Sequence, residues 1–314
     1  NCLTTLLLIN LLSLPPHIQN PLTNQEPQGS FYSLLFYLYS LMQLSELGEF
    51  ALIEHITKDI TPQQSSTIKG VGDDAAVLAP SAEKRMLVTS DMLMEGIHFD
   101  LVYTPLKHLG YKAAMVNFSD IYAMNGTPRQ ITVSLAISKR FSVEDIEELY
   151  AGMRLACEAH HVDIVGGDTT SSLTGLAISI TAIGDAPKDK VVYRNGAKET
   201  DLICVSGNLG AAFMGFQVLE REKRAFEQSG DTKAQPKLED HKHLVGAYLK
   251  PQIHPQVISQ MEDAEIMPSY GYLVTRGLAD AVKRLVRDSG MGAKIYVDKL
   301  PFAGKTFDLG KELN

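Results

Sequence analysis

At 314 residues the chain is long enough for two domains, or one large one, around a sizeable core. Its 45% apolar and 21% charged residues are ordinary for a globular protein, and a formal net charge of -8 argues against a general nucleic-acid or membrane-surface binder, which carries a basic field. Cys2, Cys157 and Cys204 lie far apart with no Cys-x-x-Cys pair, and the nine histidines include no His-Glu-x-x-His, so a disulfide framework or zinc site is not expected and a reducing, cytoplasmic setting is.

Residues 1–41 read as a leader outside the fold. Their apolar runs, such as "LTTLLLINLLSL", lack the basic start and small-residue cleavage site of a signal peptide, and each is shorter than the roughly 20 residues a membrane-crossing helix needs. From Met42 strand-like and helix-like segments alternate. "RMLVTSD" (85–91) reads as a buried strand ending in Asp91. Thr104 then Pro105 is a cap followed by a first-turn proline, predicting a helix to about Met124 that "NGTP" (125–128) stops. "ITVSLAI" (131–137) reads as a strand. Ser142 and Asp145 form a capping-box pattern, after which Ile146, Leu149, Met153 and Cys157 share one helical face. "VDIV" (162–165) is a short strand entering a "GGDTT" turn, and "LAISITAIG" (176–184) is another strand. The composition break at "DAPKDK" (185–190) divides an amino-terminal domain, 42–186, from a carboxy-terminal one, 187–314. Beyond it the reading is a strand at 201–207, a helix from Asn208, a polar surface excursion over 220–243, two helical segments and a strand in "AKIYVDKLP". The alternation points to an α/β or α+β architecture.

The acidic residues carry the chemistry. Leu109, Ala113, Val116, Asp120 and Met124 recur at helical spacing, which sets Asp120 on an apolar stripe, where a carboxylate needs a partner or a raised pKa. Asp91 closes an apolar strand, Asp168 follows a glycine pair, and Asp73–Asp74 follow "GVG". Each alone reads as a turn or capping residue. Together, beside the hydroxyls of Thr89, Ser90, Thr169 and Thr170, they make a hard-oxygen set suited to Mg²⁺ and the phosphates it carries. "GVGDDA" also fits the dinucleotide pattern G-x-G-x-x-A, but its aspartates would repel a pyrophosphate and Pro80 comes too early for the helix that pattern opens. Neither a Walker loop nor a protein-kinase catalytic set is present.

"GEFALIEHI", "GVGDDAAVL", "TSDMLMEGIHF", "KAAMVNFSDIYAMNGTP", "GGDTT" and "RNGAKETDLICVSGNLG", in this order, resemble bacterial thiamine-monophosphate kinase, whose relatives include aminoimidazole ribonucleotide synthetases and selenophosphate synthetases. The resemblance runs from about Leu44 to Gly210 and continues more weakly to about Pro301. It implies a two-domain synthetase-like fold, with an amino-terminal mixed sheet that pairs in a homodimer, and ATP-dependent phosphorylation of thiamine monophosphate to thiamine diphosphate. Residue by residue, it places several Mg²⁺ ions on Asp74, Thr89, Ser90, Asp91, Asp120 and Asp168. ATP falls to Gly167, Asp168, Arg194, Tyr150 and Thr275, and the substrate to His98.

The chain departs from the family pattern at 272–278, "YLVTRGL". Where family members carry a segment of the type I-D-I-S-D-G-L, Leu273 and Arg276 stand at the two aspartates and Thr275 at the serine. The end at Asn314 precedes the family's last thiamine-holding residues, so the second domain is expected to be incomplete. Two alternatives follow: another ATP-using synthetase of the same fold, or a nucleotide-binding dimer with impaired catalysis.

Overall fold

The computed structural model describes residues 49–69, 77–78, 83–194, 196–229 and 238–312. The leader expected over residues 1–41, and Asp73 and Asp74, lie outside the described residues. Helix α1 (Glu49–Thr57) is followed by a small antiparallel pair, β1 (Thr67–Lys69) and β2 (Val77–Leu78). The main sheet takes β3 (Lys84–Met94), β4 (Thr127–Ser138), β5 (Asp163–Ser172) and β6 (Leu176–Pro187) in the order β3-β6-β4-β5. Three of the strands alternate antiparallel, while β4 and β5 run parallel. That parallel pair requires a crossover, supplied by a helix on the sheet face.

Two helices cover this face: α2 (Leu106–Ala123) lies across β3, β6 and β4, and α3 (Val143–His160) packs on α2. The strands alternate accordingly. In β6, Leu176, Ile178, Ile180 and Ala182 are buried under the helices, while the residues between them are only partly covered. In β3 the same alternation buries Leu87 and Leu93 and leaves Met86, Val88, Met92 and Met94 exposed on the outer face at 48%, 61%, 56% and 44%. The mixed sheet and its helices are the α/β arrangement expected from the alternating segments.

Helix α3 starts on the capping box read from the sequence: Ser142 Oγ accepts from Asp145 N at 3.3 Å, and Asp145 returns the bond to Ser142 N at 2.8 Å. Where α2 and α3 cross, the backbones almost touch. A Cβ on Gly110 would lie 1.9 Å from the Leu149 carbonyl oxygen, and one on Gly152 would lie 1.8 Å from that of Lys107. Gly152→Ala must therefore push two buried helices apart. It is expected to lower stability by about 1–3 kcal/mol, read as a drop in the urea midpoint at constant slope. An unchanged midpoint would show that the helices do not cross this closely.

After β6 come α4 (Ala211–Ser229), α5 (Lys242–Leu249), α6 (Gln256–Asp263), α7 (Leu278–Ser289) and α8 (Gly304–Glu312). Among the described residues most buried apolar side chains fall into two clusters. One spans Leu52 to Val191; the other joins Ala211, Val218 and Leu219 of α4 to Leu244, Val245 and Leu249 of α5 and Leu309 of α8. Among the described residues no helix is long and apolar enough to cross a membrane.

Several sequence expectations change. Pro105, not Thr104, is the N-cap of α2, and no side chain caps this end: Thr104 Oγ1 is buried without a hydrogen-bond partner among the described residues. The "GGDTT" segment is not a turn, since β5 runs through it to Ser172 against β4. The predicted strands at 201–207 and in "AKIYVDKLP" are absent: Leu202 is 89% exposed, and the second segment forms a single 3-10 turn at Val297–Lys299. A short apolar run becomes a strand only where another strand offers its ladder, and here none does among the described residues. The polar segment from Glu220 is not an excursion as far as Ser229, because α4 continues through it. Its charges have partners: Tyr103, which packs against the second cluster, donates to Glu220 at 2.8 Å, and Lys223 pairs with Asp100 at 2.6 Å.

Candidate active site

Strand β3 and helix α2 bring Thr89, Asp91, Asn117 and Asp120 together. Thr89 and Asp91 are two apart and so share the helix-covered face of β3. Asn117 and Asp120, three apart on α2, share the helix face turned to them. Thr89 Oγ1 donates to Asp120 Oδ2 at 2.7 Å. The buried Asn117 takes the Asp91 backbone N–H on its Oδ1 at 3.1 Å and is itself fixed by donating Nδ2 to the Ala113 carbonyl at 3.0 Å. Asn117 was not among the sequence candidates. The three-residue step sets it on the helix face of Asp120, but only the crossing of α2 over β3 brings it to the Asp91 backbone.

The pair is electrostatically unfinished. Burial, followed by the charge of Asp120, pushes the Asp91 pKa above the usual carboxylate range, and His98 partly offsets this. Asp91 Oδ2 is buried with no hydrogen-bond partner. A buried acceptor of this kind is costly unless a cation or donor meets it. Among the described residues no group of three or more His, Cys, Asp or Glu gathers tightly enough to form a metal cage. Magnesium does not require one, because it binds through one or two carboxylates with water and substrate phosphates completing its shell. Thr89, Asp91 and Asp120 fit that demand. Asp120 is half-buried rather than sunk in the core, as the apolar stripe had suggested, because it sits where α2 meets the edge strand.

The other assigned residues fall elsewhere. Ser90 points to the outer face of the sheet, where its Oγ pairs with Thr181 Oγ1 at 3.0 Å. His98 stands in the exposed turn after β3, its Nδ1 accepting from Met94 N at 2.9 Å, which puts the proton of the neutral ring on Nε2. Asp168 is on β5, the far edge of the sheet. The register runs Asp91–Ile180–Val133–Gly167, so three strand spacings, about 14 Å, separate the two edges. Asp168 pairs with the exposed Ser134 and belongs to the outer face, opposite Asp91. Gly167 lies so close to β4 that an added Cβ would be 1.8 Å from the Val133 carbonyl oxygen. With Asp168, Ile164 and the buried Tyr150, whose hydroxyl pKa burial raises, it lines a small hollow beside α1. Arg194 stacks on the Tyr272 ring, 4.8 Å from its centroid, and Thr275 lines a cleft next to that ring.

A mixed sheet backed by α2 and α3, with an acidic pair under its edge, defines a class. Residues 72–186 match the family described as AIR synthase related protein, N-terminal domain. The chain is 31% identical over 264 residues to the thiamine-monophosphate kinase of Aquifex aeolicus, covering 84% of this chain and 78% of that protein, and 32% identical over 267 residues to that of Synechococcus elongatus, covering 84% and 76%. The chain belongs to the thiamine-monophosphate kinase family, and with it to the phosphotransferases. It spans 57% of the length of the Bacillus subtilis thiamine-monophosphate kinase, with 36% identity over 186 residues. Among solved structures, the Stenotrophomonas maltophilia thiamine-monophosphate kinase is similar at TM-score 0.68 and 29% identity, covering 85% of this chain and 79% of that one. AaThiL complexed with AMPPCP and TMP is similar at TM-score 0.63 and 29% identity, covering 87% and 80%. The hydrogenase maturation protein HypE in complex with ATP shares the fold, at TM-score 0.65 and 17% identity.

Proposed function

We propose that this chain transfers the γ-phosphoryl group of ATP to thiamine monophosphate, giving thiamine diphosphate and ADP. The observation that carries this reading is the Asp91–Asp120 pair, held by Thr89 and Asn117 with one buried carboxylate oxygen left unmet, inside the fold of a kinase family. The structure of a relative complexed with AMPPCP and TMP supports it. An oxygen of the thiamine phosphate attacks the γ-phosphorus as the bond to the β-bridging oxygen breaks, and ADP leaves. The attacking oxygen is already anionic, so no side chain has to remove a proton. Asp91, Asp120 and Thr89 would hold Mg²⁺, with Asp74 as a further ligand. When bound, the metal neutralises the phosphates and lets two anions approach. The protein's own task is alignment. Asn117 fixes the Asp91 backbone, Thr89 fixes Asp120, His98 presents Nε2–H to the substrate side, and Arg194 meets phosphate oxygens.

Within one chain Ser90 and Asp168 face away from this pair. A homodimer in which outer sheet faces meet, as the exposed Met86, Val88, Met92 and Met94 favour, gives both residues a role next to a partner chain. In this reading residues 42–186 bind the nucleotide and metal, and residues 187–314 belong to the second domain.

The test is the chain with γ-labelled ATP, Mg²⁺ and thiamine monophosphate. Labelled thiamine diphosphate with no label on protein is the expected result. Label retained covalently on the chain would rule out direct transfer, and label passing only to other acceptors would point to a synthetase of the same fold. Leu273 and Arg276, at positions where the family pattern has aspartates, favour a second reading, a nucleotide-binding dimer without catalysis. Retained Mg-ATP binding with no thiamine diphosphate formed identifies that case.

A further inference from the structure

The segment that joins β3 to α2 answers to both buried clusters. Its two ends, Leu93 and Leu109, lie in the first, and so does Phe99 at 3% exposure. Tyr103, four residues beyond Phe99, packs instead against the second. Between these anchors the backbone closes on itself. The Asp100 carbonyl accepts the N–H groups of Tyr103 at 3.3 Å and Thr104 at 2.9 Å, and Asp100 Oδ1 accepts that of Val102 at 2.8 Å. On the other side of Phe99, the Met94 carbonyl accepts the His98 N–H at 2.8 Å, while His98 Nδ1 accepts from Met94 N at 2.9 Å. From Met94 to Thr104 the chain is therefore a run of hydrogen-bonded turns, and a shift at Asp100 is passed to His98, two residues away.

Helix α4 grips this run. Glu220 and Lys223, three apart, share a helix face. Tyr103 Oη donates to Glu220 at 2.8 Å, and Lys223 Nζ donates to Asp100 Oδ2 at 2.6 Å, closer than its 4.0 Å approach to Glu227 on its own helix. Tyr248 of α5 lies beside Tyr103, ring centroids 6.5 Å apart. Burial and then the bond to Glu220 raise the Tyr103 hydroxyl pKa, so it stays a donor. Burial works against the Asp100 carboxylate, but the Lys223 ammonium and the Val102 N–H outweigh it and hold the pKa below the usual carboxylate range. A connection with both ends in the first cluster needs neither contact to stay folded.

We propose that Glu220 and Lys223 are positioning residues for the acceptor: by clamping the turn at Asp100 and Tyr103, they set where His98 presents its Nε2–H to thiamine monophosphate. The proposal rests on the reading above in which His98 meets the substrate. A hydrogen bond weakens steeply when its donor is turned aside, so a small swing of the segment is enough. Asp91 and Asp120 stand on β3 and α2 within the first cluster, so the clamp governs the acceptor and leaves the nucleotide alone.

Calorimetric titration of the full chain with thiamine monophosphate, in the presence of Mg²⁺ and AMPPCP, tests this without requiring turnover. Lys223→Met, which keeps the aliphatic stem and removes the charge, should weaken thiamine monophosphate about five- to tenfold, roughly the worth of one aligned hydrogen bond. Mg-AMPPCP binding should stay within about twofold of the parent's, since the two sites share no partner. Hydrogen exchange at the Val102, Tyr103 and Thr104 amides should quicken, and Lys223→Arg should restore both affinity and protection. Tyr103→Phe should act in the same direction. In a His98→Ala background Lys223→Met should weaken the acceptor no further, because the clamp acts through that ring. An equal loss in that background, an equal loss of Mg-AMPPCP, or unchanged amide exchange in Lys223→Met would each overturn the proposal. If the parent binds thiamine monophosphate and Lys223→Met binds it equally well, this proposal alone fails. If the parent does not bind it, the acceptor reading fails and takes this one with it.

Discussion

Asp91→Asn is expected to make the metal-free chain more stable while cutting Mg²⁺-dependent nucleotide binding and turnover by about 100-fold or more. The two effects come from one cause. In the folded state burial and the neighbouring Asp120 hold the Asp91 pKa above its unfolded value. A carboxyl raised in this way favours folding only while it is protonated. That contribution is complete below the unfolded pKa of about 3.9 and is lost as pH climbs through the folded pKa. At neutral pH an ionised Asp91 therefore burdens the fold, and asparagine, which keeps the shape without the charge, relieves it. Solvent reaches the site, so the gain is held to on the order of 1 kcal/mol, or about 2–4 °C in midpoint for a chain of this size. The stability difference between variant and parent should be near zero around pH 3–4 and grow towards neutrality. Added MgCl₂ should raise the parent's midpoint by mass action and leave the variant's where it was. Asp120→Asn should lose the metal response in the same way. If Mg²⁺ stabilises both variants as much as the parent, the acid pair is not the cation site.

How much of this was legible beforehand differs from residue to residue. The Ser142–Asp145 box and the face of Ile146, Leu149 and Met153 are local signals, and α3 follows them closely. The alternation in "LAISITAIG" gave β6 for the same reason. Asp91 and Asp120 could each be singled out as a carboxylate in apolar company. That they face one another depends on α2 lying across β3, a tertiary fact with no local trace, and the role of Asn117 depends on the same crossing. The "GGDTT" segment misled because a glycine pair marks either a turn or a close approach of strands. The Val133 carbonyl, 1.8 Å from where a Gly167 Cβ would sit, shows that here it is the second. In the same way Glu220 and Lys223 read as solvated charge until Tyr103 and Asp100 were found opposite them.

If the outer sheet faces meet in the homodimer proposed above, Val88→Glu should give a monomer and abolish phosphoryl transfer without unfolding the protein. Val88 is 61% exposed in the middle of the outer face of β3, flanked by Met86 and Met92 on the same strand and paired across to Ile183 of β6. A charge there loses nothing within one chain, since water already covers the position. Placed against a second copy of the same face it would be buried without a partner, at a cost of several kcal/mol, and a symmetric contact repeats that cost on both sides. The dimer dissociation constant should rise by at least about 100-fold, read by light scattering across a dilution series, with the melting midpoint of the diluted chain unchanged. Turnover should fall with it because Ser90 and Asp168 lie on this outer face, while Asp91 and Asp120 lie under the helices on the other. A single sheet keeps these two sets on opposite faces, and its strand order keeps Asp91 and Asp168 at opposite edges. If Val88→Glu stays dimeric, or becomes monomeric and keeps full activity, the outer face has no part in the site and Asp168 belongs to the architecture of β5 rather than to the chemistry.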